Sequence, residues 1–226
     1  MKERFNRSFI NINSLRTAQK IISEKVIEVD VLPPHIELVC GVDIAYTGNL
    51  AVSAAVTVDT HRLTPVSKAT AILEVKFPYI PTLLAFREAG PMIVAIRRLK
   101  THPQVIIVDG NGRLHPFGAG VASQVGLALN LPTIGVAKKL LCGNISEWEG
   151  EIAPILLEGR TVGVALKMSS NSKPIYVSVG HMISLTTAVK LVKQLTRAGF
   201  RLPEPLRLAH IEATNLARCL KAVSQC

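Results

Sequence analysis

The chain has 226 residues, of which 48% are hydrophobic and 19% are charged, so it can bury a core, and extensive disorder is excluded. Aromatic residues make up only 4%, which favours aliphatic strands packed under helices over an aromatic-rich β-sandwich. With 26 basic and 16 acidic residues, the formal net charge is +10. This excess favours a nucleic-acid partner, and a basic face that only maintains solubility is the alternative.

The first half of the chain predicts one helix and then three strands. Apolar residues follow helical spacing from Leu15 to Val26, after a candidate N-cap at Ser14. Strand-like runs follow at residues 37–46, 50–59 and 66–75. Because the joins are short, these runs predict a three-stranded antiparallel meander.

Beyond a stiff proline loop at residues 77–81, short apolar runs alternate with helical patterns. Helices are predicted at residues 83–99, with a kink at Gly90-Pro91, and at residues 119–129, 185–198 and 206–223. Strands are predicted at residues 105–108, 133–136, 160–167 and 175–179. We therefore expect an α/β fold with a mixed sheet, three antiparallel strands followed by β-α-β units, flanked by helices, in one domain over residues 1–226.

The positive charge is concentrated in two stretches without acidic residues, residues 110–146 and 159–203. The longest uncharged stretch, residues 114–137, is broken by two prolines, so no membrane-spanning helix is expected. The first residues lack the long apolar segment of a signal peptide. The four cysteines form neither a CxxC pair nor a disulfide framework, and we expect a cytoplasmic protein.

Two carboxylates occupy positions that are unusual for acidic residues. Asp43 lies inside the apolar run LVCGVDIAY, and Asp109 ends the apolar strand VIIV. If the first strand lies beside the VIIV strand, these carboxylates converge, and a divalent cation such as Mg²⁺ or Mn²⁺ would offset their repulsion. The alternative is two separate strand-end caps, or an ion pair with a lysine.

Three further residues could belong to the same site. Glu88 lies on the helix after the proline loop, where a solvated surface residue is the alternative. Lys138 follows a strand on its C-terminal side, where ligands bind in open α/β sheets. His115 lies in the loop after Asp109, where a structural or exposed histidine is the alternative. The Asp109-Gly110-Asn111-Gly112 turn lacks the third glycine of a dinucleotide-binding motif, and there is no Walker A motif.

Several long segments, in a fixed order, resemble the signature segments of the endonuclease V family, the deoxyinosine-specific repair nucleases. They are GVDIAY, FPYIPTLLAFRE, VIIVDGNGRLHP, LPTIGVAKKLLCG, KPIYVSVGHMISL and RLPEPLRLAH, and the similarity covers roughly residues 11–220. The resemblance implies an RNase H-like fold and dependence on Mg²⁺ or Mn²⁺. It also implies hydrolysis of the second phosphodiester bond on the 3′ side of a deaminated base, leaving a 3′-hydroxyl and a 5′-phosphate.

Matching motif positions imply roles for individual residues. Asp43, Glu88 and Asp109 would form the acidic catalytic set, and His210 would lie near the metal. His115 and Lys138 would be basic residues near the phosphate. Tyr79 would be a wedge that enters the duplex, although on sequence alone an aromatic core plug is also plausible. The substrate-binding segment would comprise Tyr79 with Pro78, Ile80 and Pro81, together with Gly110 and Gly112.

The chain departs from the family pattern at Asn111 and Gln124, where histidine is expected, and Asn111 adjoins the expected base pocket. The expected partner is DNA containing deaminated bases, with inosine-containing RNA as the alternative, and we expect a monomer. Two other functions compete. One is a different RNase H-like nuclease, acting as a resolvase or on structured RNA. The other is a non-catalytic nucleic-acid-binding protein, against which the carboxylate set argues.

Overall fold

The computed structural model describes residues 10–223. They fold around one nine-stranded sheet. The strands are β1 (Leu38–Thr47), β2 (Leu50–Asp59), β3 (Pro65–Glu74), β4 (Val105–Asp109), β5 (Thr133–Ala137), β6 (Asn144–Ile145), β7 (Ile152–Leu157), β8 (Arg160–Leu166) and β9 (Ile175–His181). The helices are α1 (Ile12–Glu24), α2 (Ala85–Arg97), α3 (Val121–Leu129), α4 (Leu185–Gln194) and α5 (Glu204–Val223). The strand order is β3-β2-β1-β4-β5-β9-β8-β7-β6.

The sheet is mixed, as the sequence predicted. Strands β1, β2 and β3 form an antiparallel meander, and β4 pairs with β1 in parallel, with Val39 opposite Val105. Strand β5 is parallel to β4, whereas β9, β8 and β7 continue the sheet in antiparallel pairs. The predicted contact between the first strand and the VIIV strand is therefore confirmed. Among the strands of residues 10–223, parallel pairing is limited to β1, β4 and β5.

Both faces of the central strands are covered. Alternate residues of β1 and β4 pack in two separate clusters, with Val39 and Ile107 in one and Cys40 and Ile106 in the other. The first cluster includes apolar residues of α4 and α5, and the second includes residues of α2 and α3. A strand buried on both faces needs a continuous apolar run, which explains why β4 reads VIIV.

Several sequence predictions need correction. Ser14 does not cap α1: its backbone N–H donates to Asn11 Oδ1 at 3.1 Å, and Asn11 is the N-cap. Helix α2 is shorter than predicted and continues through Pro91. Strands β6 and β7 were not predicted, because β6 has only two residues and Pro154 interrupts the strand pattern of β7. Within residues 10–223, no helix is long and apolar enough to cross a membrane.

Candidate active site

Two carboxylates and a histidine meet where the parallel pairing of β1 with β4 ends, at Asp43 within β1 and at Asp109, the last residue of β4. Val42 and Val108 are register partners, so the next residues, Asp43 and Asp109, lie side by side. Ligand atoms of Asp43, Asp109 and His210 all lie within 4.8 Å of one another. His210 Nδ1 is 2.6 Å from Asp43 Oδ2. The convergence predicted from the sequence is therefore present in the structure.

Lys138 completes this cluster from the adjacent strand. It follows β5, and its Nζ lies 2.5 Å from Asp109 Oδ2. The ion pair is partly buried, with 36% of the Lys138 side chain and 17% of the Asp109 side chain exposed. One partly buried cation thus balances one of the two carboxylates.

A glycine in β1 allows α5 to carry His210 to this site. A Cβ atom on Gly41 would lie 2.2 Å from the backbone of Pro205, in the first turn of α5, so a larger residue would push the helix away. Asp43 lies two residues beyond Gly41, on the same face of the strand. His210 lies five residues beyond Pro205 on α5. This close approach of backbones sets the distance between His210 and Asp43.

The cluster carries more negative charge than its surroundings favour. Burial and then the charge of Asp109 raise the pKa of Asp43 to about 6, although His210 and Lys138 act in the opposite direction. Desolvation favours the protonated acid, as does a neighbouring carboxylate. Two carboxylate oxygens and an imidazole nitrogen are suitable ligands for a divalent cation, which would relieve this repulsion. The donor set therefore fits a divalent metal.

Glu88 faces the same cluster from α2. It is buried, and the Tyr46 hydroxyl donates to Glu88 Oε1 at 2.8 Å. Burial, with contributions from the charges of Asp43 and Asp109, raises the pKa of Glu88 to about 7. The solvated-surface interpretation of Glu88 is therefore wrong. Sequence reasoning missed Tyr46, although the GVDIAY segment ends on it.

A small cavity of about 130 Å³ opens at the turn that directly follows Asp109. Its walls include the cavity loop, which we define as residues 77–82, and the glycine turn after β4. The lining residues are Tyr79, Ile80, Pro81, Thr82, Leu84, Ala85, Gly110, Asn111, His115, Gly120, Val121 and Leu141. Pro78 and Gly112 lie outside this lining. Tyr79 is 65% exposed, so the core-plug interpretation is wrong.

The glycine turn packs closely against the sheet. A Cβ atom on Gly112 would lie 2.0 Å from the carbonyl oxygen of Val179 in β9. Gly110 has a φ of 151° and faces Val121 at the start of α3. Both glycines are therefore required by the backbone path, which places the cavity wall directly after Asp109.

Comparison with known proteins identifies the family. The sequence model of endonuclease V matches residues 20–211. Endonuclease V of Thermofilum pendens is 50% identical over 208 residues, which cover 92% of this chain and 90% of that protein. The chain belongs to the endonuclease V family. It is therefore a nuclease that hydrolyses phosphodiester bonds, and a DNA repair endonuclease for deaminated bases.

Solved structures of family members share this architecture. Endonuclease V of Streptomyces avermitilis is 38% identical, with a TM-score of 0.85 over 94% of each chain. Endonuclease V of Ciona intestinalis was solved with a 24-mer DNA containing an inosine followed by a ribo-adenosine. It is 30% identical, with a TM-score of 0.84 over 92% of this chain and 98% of that one.

In this family member, His115 is a neutral buried side chain. Its Nε2 lies 2.9 Å from the carbonyl oxygen of Thr82, and its Nδ1 accepts from the backbone N–H of Phe117 at 3.2 Å. Burial lowers the pKa of His115. The structure thus places His115 in the cavity wall with both ring nitrogens occupied, separate from the Asp43–Asp109–His210 cluster. Its role near a phosphate stays a prediction.

Several residues of the basic stretches make internal contacts. Arg113 pairs with Glu28 at 2.8 Å, and Lys193 pairs with Glu151 at 3.1 Å. Arg201 donates to the backbone carbonyls of Lys138 and Pro174. Lys139, Arg160, Lys173 and Lys190 are exposed, as are the paired Lys193 and Arg197. Some cations of the basic stretches are therefore paired within the chain, and fewer are available to a ligand than the sequence count implies.

The two departures from the family pattern leave polar atoms unpaired. Within the described residues, Asn111 Oδ1 and Gln124 Nε2 are buried without a hydrogen-bond partner. Asn111 lines the cavity, whereas Gln124 does not. Unsatisfied buried atoms are uncommon, and these mark the region where this chain differs chemically from the expected pattern.

Proposed function

We propose that this enzyme recognises deoxyinosine in DNA and hydrolyses the second phosphodiester bond on its 3′ side, leaving a 3′-hydroxyl and a 5′-phosphate. The observation that carries the proposal is the Asp43–Asp109–His210 cluster, which lies where the β1–β4 pairing ends and next to the turn that lines a small cavity. The Ciona intestinalis relative, solved with inosine-containing DNA, supports this choice of substrate.

We also propose an RNase H-like arrangement in a single domain. The part of the sheet ordered β3-β2-β1-β4-β5 supports it, because an antiparallel meander is followed there by two parallel strands. Action as a monomer stays a prediction. The described cysteines are free thiols, as expected in the cytoplasm.

Asp43, Asp109 and His210 are proposed to hold Mg²⁺ or Mn²⁺, with Glu88 completing the site. When bound, such a cation neutralises charge on the phosphate and makes water a better nucleophile. Oxygen-rich ligands favour these hard cations, and the raised pKa of Asp43 supports binding coupled to proton release. The cluster would then hold its carboxylates ionised at neutral pH.

The residues around the metal ligands are proposed to stabilise developing charge and to position or exchange protons. Lys138 would turn from Asp109 toward the scissile phosphate and offset charge that develops there. Burial raises the pKa of Glu88 to about 7 without metal, so Glu88 would release its proton when the cation binds. Tyr46 holds the Glu88 carboxyl in one orientation through its hydroxyl. His210 would ligate the cation or orient the attacking water.

The cavity loop is proposed to separate the lesion from its neighbours. Exposed Tyr79 would enter the stack, and the lesion would turn out into the cavity, where backbone groups near Gly110 read the base. Stacking on an aromatic ring stabilises by about 1–3 kcal/mol per base, comparable with the cost of unstacking. Pro78, Ile80 and Pro81 limit the motion of the loop.

The deciding experiment uses labelled strands that carry one inosine, as DNA and as RNA, in duplex and single-stranded form. Incubation with Mg²⁺ should yield one product, whose length maps the cut to the second bond 3′ of the inosine, and excess EDTA should prevent it. Matched strands with adenosine or guanosine in that position are the controls. Equal cutting of the controls would favour a different nuclease class, and preferential cutting of RNA would favour the RNA alternative.

A further inference from the structure

We infer that Gln19 of α1 is a positioning residue for the cavity loop, which it holds through the backbone carbonyl of Thr82. The inference rests on the proposed function, in which this loop separates the lesion from its neighbours. Gln19 is fully buried. Its Nε2 donates to Thr82 O at 2.8 Å and lies 3.4 Å from Ala119 O. A helix far from the carboxylates in sequence therefore contacts the wall of the substrate cavity.

A second donor converges on the same carbonyl. The backbone N–H of Phe117 donates to His115 Nδ1, so the ring proton of the neutral His115 is on Nε2. That Nε2–H donates to Thr82 O at 2.9 Å. A carbonyl oxygen has two lone pairs, and Gln19 and His115 together occupy both. We call this arrangement the Thr82 clamp.

The clamp acts on a backbone position that needs support. Thr82 has a φ of 70°, in the left-handed region that β-branched residues rarely adopt. Strained positions of this kind persist only when the surrounding structure holds them. The next residue, Leu83, is fully buried, and its N–H donates to Ile80 O at 3.0 Å. The clamp therefore fixes a turn between exposed Tyr79 and helix α2.

Helix α1 is itself anchored to the loop after β4. Arg113 Nη1 donates to Ser23 Oγ at 2.6 Å, to Ser23 O at 3.1 Å and to Gly118 O at 3.1 Å. Arg113 Nη2 pairs with Glu28 at 2.8 Å. Gln19 thus reaches the cavity loop from a helix that is tied to the segment carrying His115. This is the geometry expected of a residue that sets the position of a loop.

The test replaces the amide with a thioether of similar length. Within the described residues, Gln19 Oε1 is buried without a hydrogen-bond partner, so Gln19→Met also removes an unsatisfied acceptor and should fold. The matched control is Gln104→Met. Gln104 Oε1 accepts from the backbone N–H groups of Glu37 and Leu38, at the opposite end of β1. Both variants therefore lose amide contacts to backbone, but only one loses them beside the cavity.

The first readout is single-turnover cleavage of an inosine duplex with Mg²⁺ over a range of enzyme concentrations. Gln19→Met should raise the half-saturating concentration about tenfold while the maximal rate changes by less than about twofold. The shift should be smaller on the single strand, where little unstacking is needed. Gln104→Met should leave both parameters unchanged.

The second readout does not depend on activity. Amide exchange at Leu83 should be about tenfold faster in Gln19→Met and unchanged in Gln104→Met. Unchanged exchange and unchanged half-saturation would overturn the inference, as would a Gln19→Met protein that unfolds or loses maximal rate on every substrate. If the parent fails to cut inosine DNA, the proposed function falls, and the exchange of Leu83 alone decides whether the Thr82 clamp exists.

Discussion

The two ends of the parallel pairing between β1 and β4 differ in how their polar groups are satisfied. At the start of this pairing, Gln104 Oε1 accepts from the backbone N–H of Glu37 at 3.0 Å and from that of Leu38 at 2.7 Å. The hydroxyl of Thr60 donates to Ile36 O at 2.8 Å. Each of these polar groups finds its partner within the chain, so this end contributes to stability.

At the other end, the negative charge of the carboxylates is not fully balanced by groups of the chain. Asp43 and Asp109 lie side by side, and Glu88 faces them, with the pKa values of Asp43 and Glu88 raised by burial and by neighbouring carboxylates. Lys138 offsets only part of this charge, and His210 contributes a hydrogen bond to Asp43. The carboxylate end therefore favours binding of a further cation or of protons, which is a property of a reactive site.

The largest expected effect on cleavage comes from removing one carboxylate of the cluster. Asp109→Ala should lower cleavage of an inosine strand by about a thousandfold, because it removes a metal ligand and the partner of Lys138. Binding should largely persist through the basic surface. Gel-shift and single-turnover cleavage assays measure both effects. An Asp109→Ala protein that cuts like the parent would mean that the site lies elsewhere.

Tyr79→Ala should weaken duplex cleavage by about tenfold, because the ring that replaces base stacking is lost. Single-strand cleavage should fall less. Since Tyr79 is 65% exposed, the melting temperature should stay close to that of the parent. Equal losses on both substrates, in a folded protein, would contradict the wedge.

The metal-free protein should lose stability as the pH rises. The pKa values of Asp43 and Glu88, about 6 and about 7, lie above those of unfolded carboxyls, so the native state retains protons that the unfolded state releases. Their stabilisation is complete below about pH 4 and disappears as the pH passes through 6 and 7. In EDTA, the melting temperature should fall from pH 5 to pH 8, and Glu88→Gln should flatten the profile.

The smallest effect concerns the start of β1. Gln104→Ala should reduce the free energy of unfolding by about 1–2 kcal/mol, because the backbone N–H groups of Glu37 and Leu38 lose their acceptor. Cleavage per folded molecule should not change. Denaturant unfolding and steady-state kinetics give the two values, and a large loss of kcat would show that the two ends are coupled.

The sequence predicted the residues of the carboxylate cluster better than the stabilising polar contacts at the start of β1. Asp43 and Asp109 could be paired because acids in apolar strands are conspicuous and the meander implied adjacent strands. His210 came from the family resemblance alone, since nothing local reveals the approach of α5 at Gly41. The sequence did not predict the Thr82 clamp, because the clamp joins residues that are far apart in sequence. The spacing of Gln19 from Leu15 does place Gln19 on the apolar side of α1.

The carboxylate cluster should bind a divalent cation, and calorimetry measures this binding directly. Calorimetric titration of the metal-free protein with Mn²⁺ at pH 7.5 should show saturable binding, with protons released as Asp43 and Glu88 ionise. Asp109→Ala should abolish the tight phase, and Gln104→Ala should retain it. Binding of Mn²⁺ that is equal in the parent and in Asp109→Ala would contradict the assignment of this cluster as the metal centre.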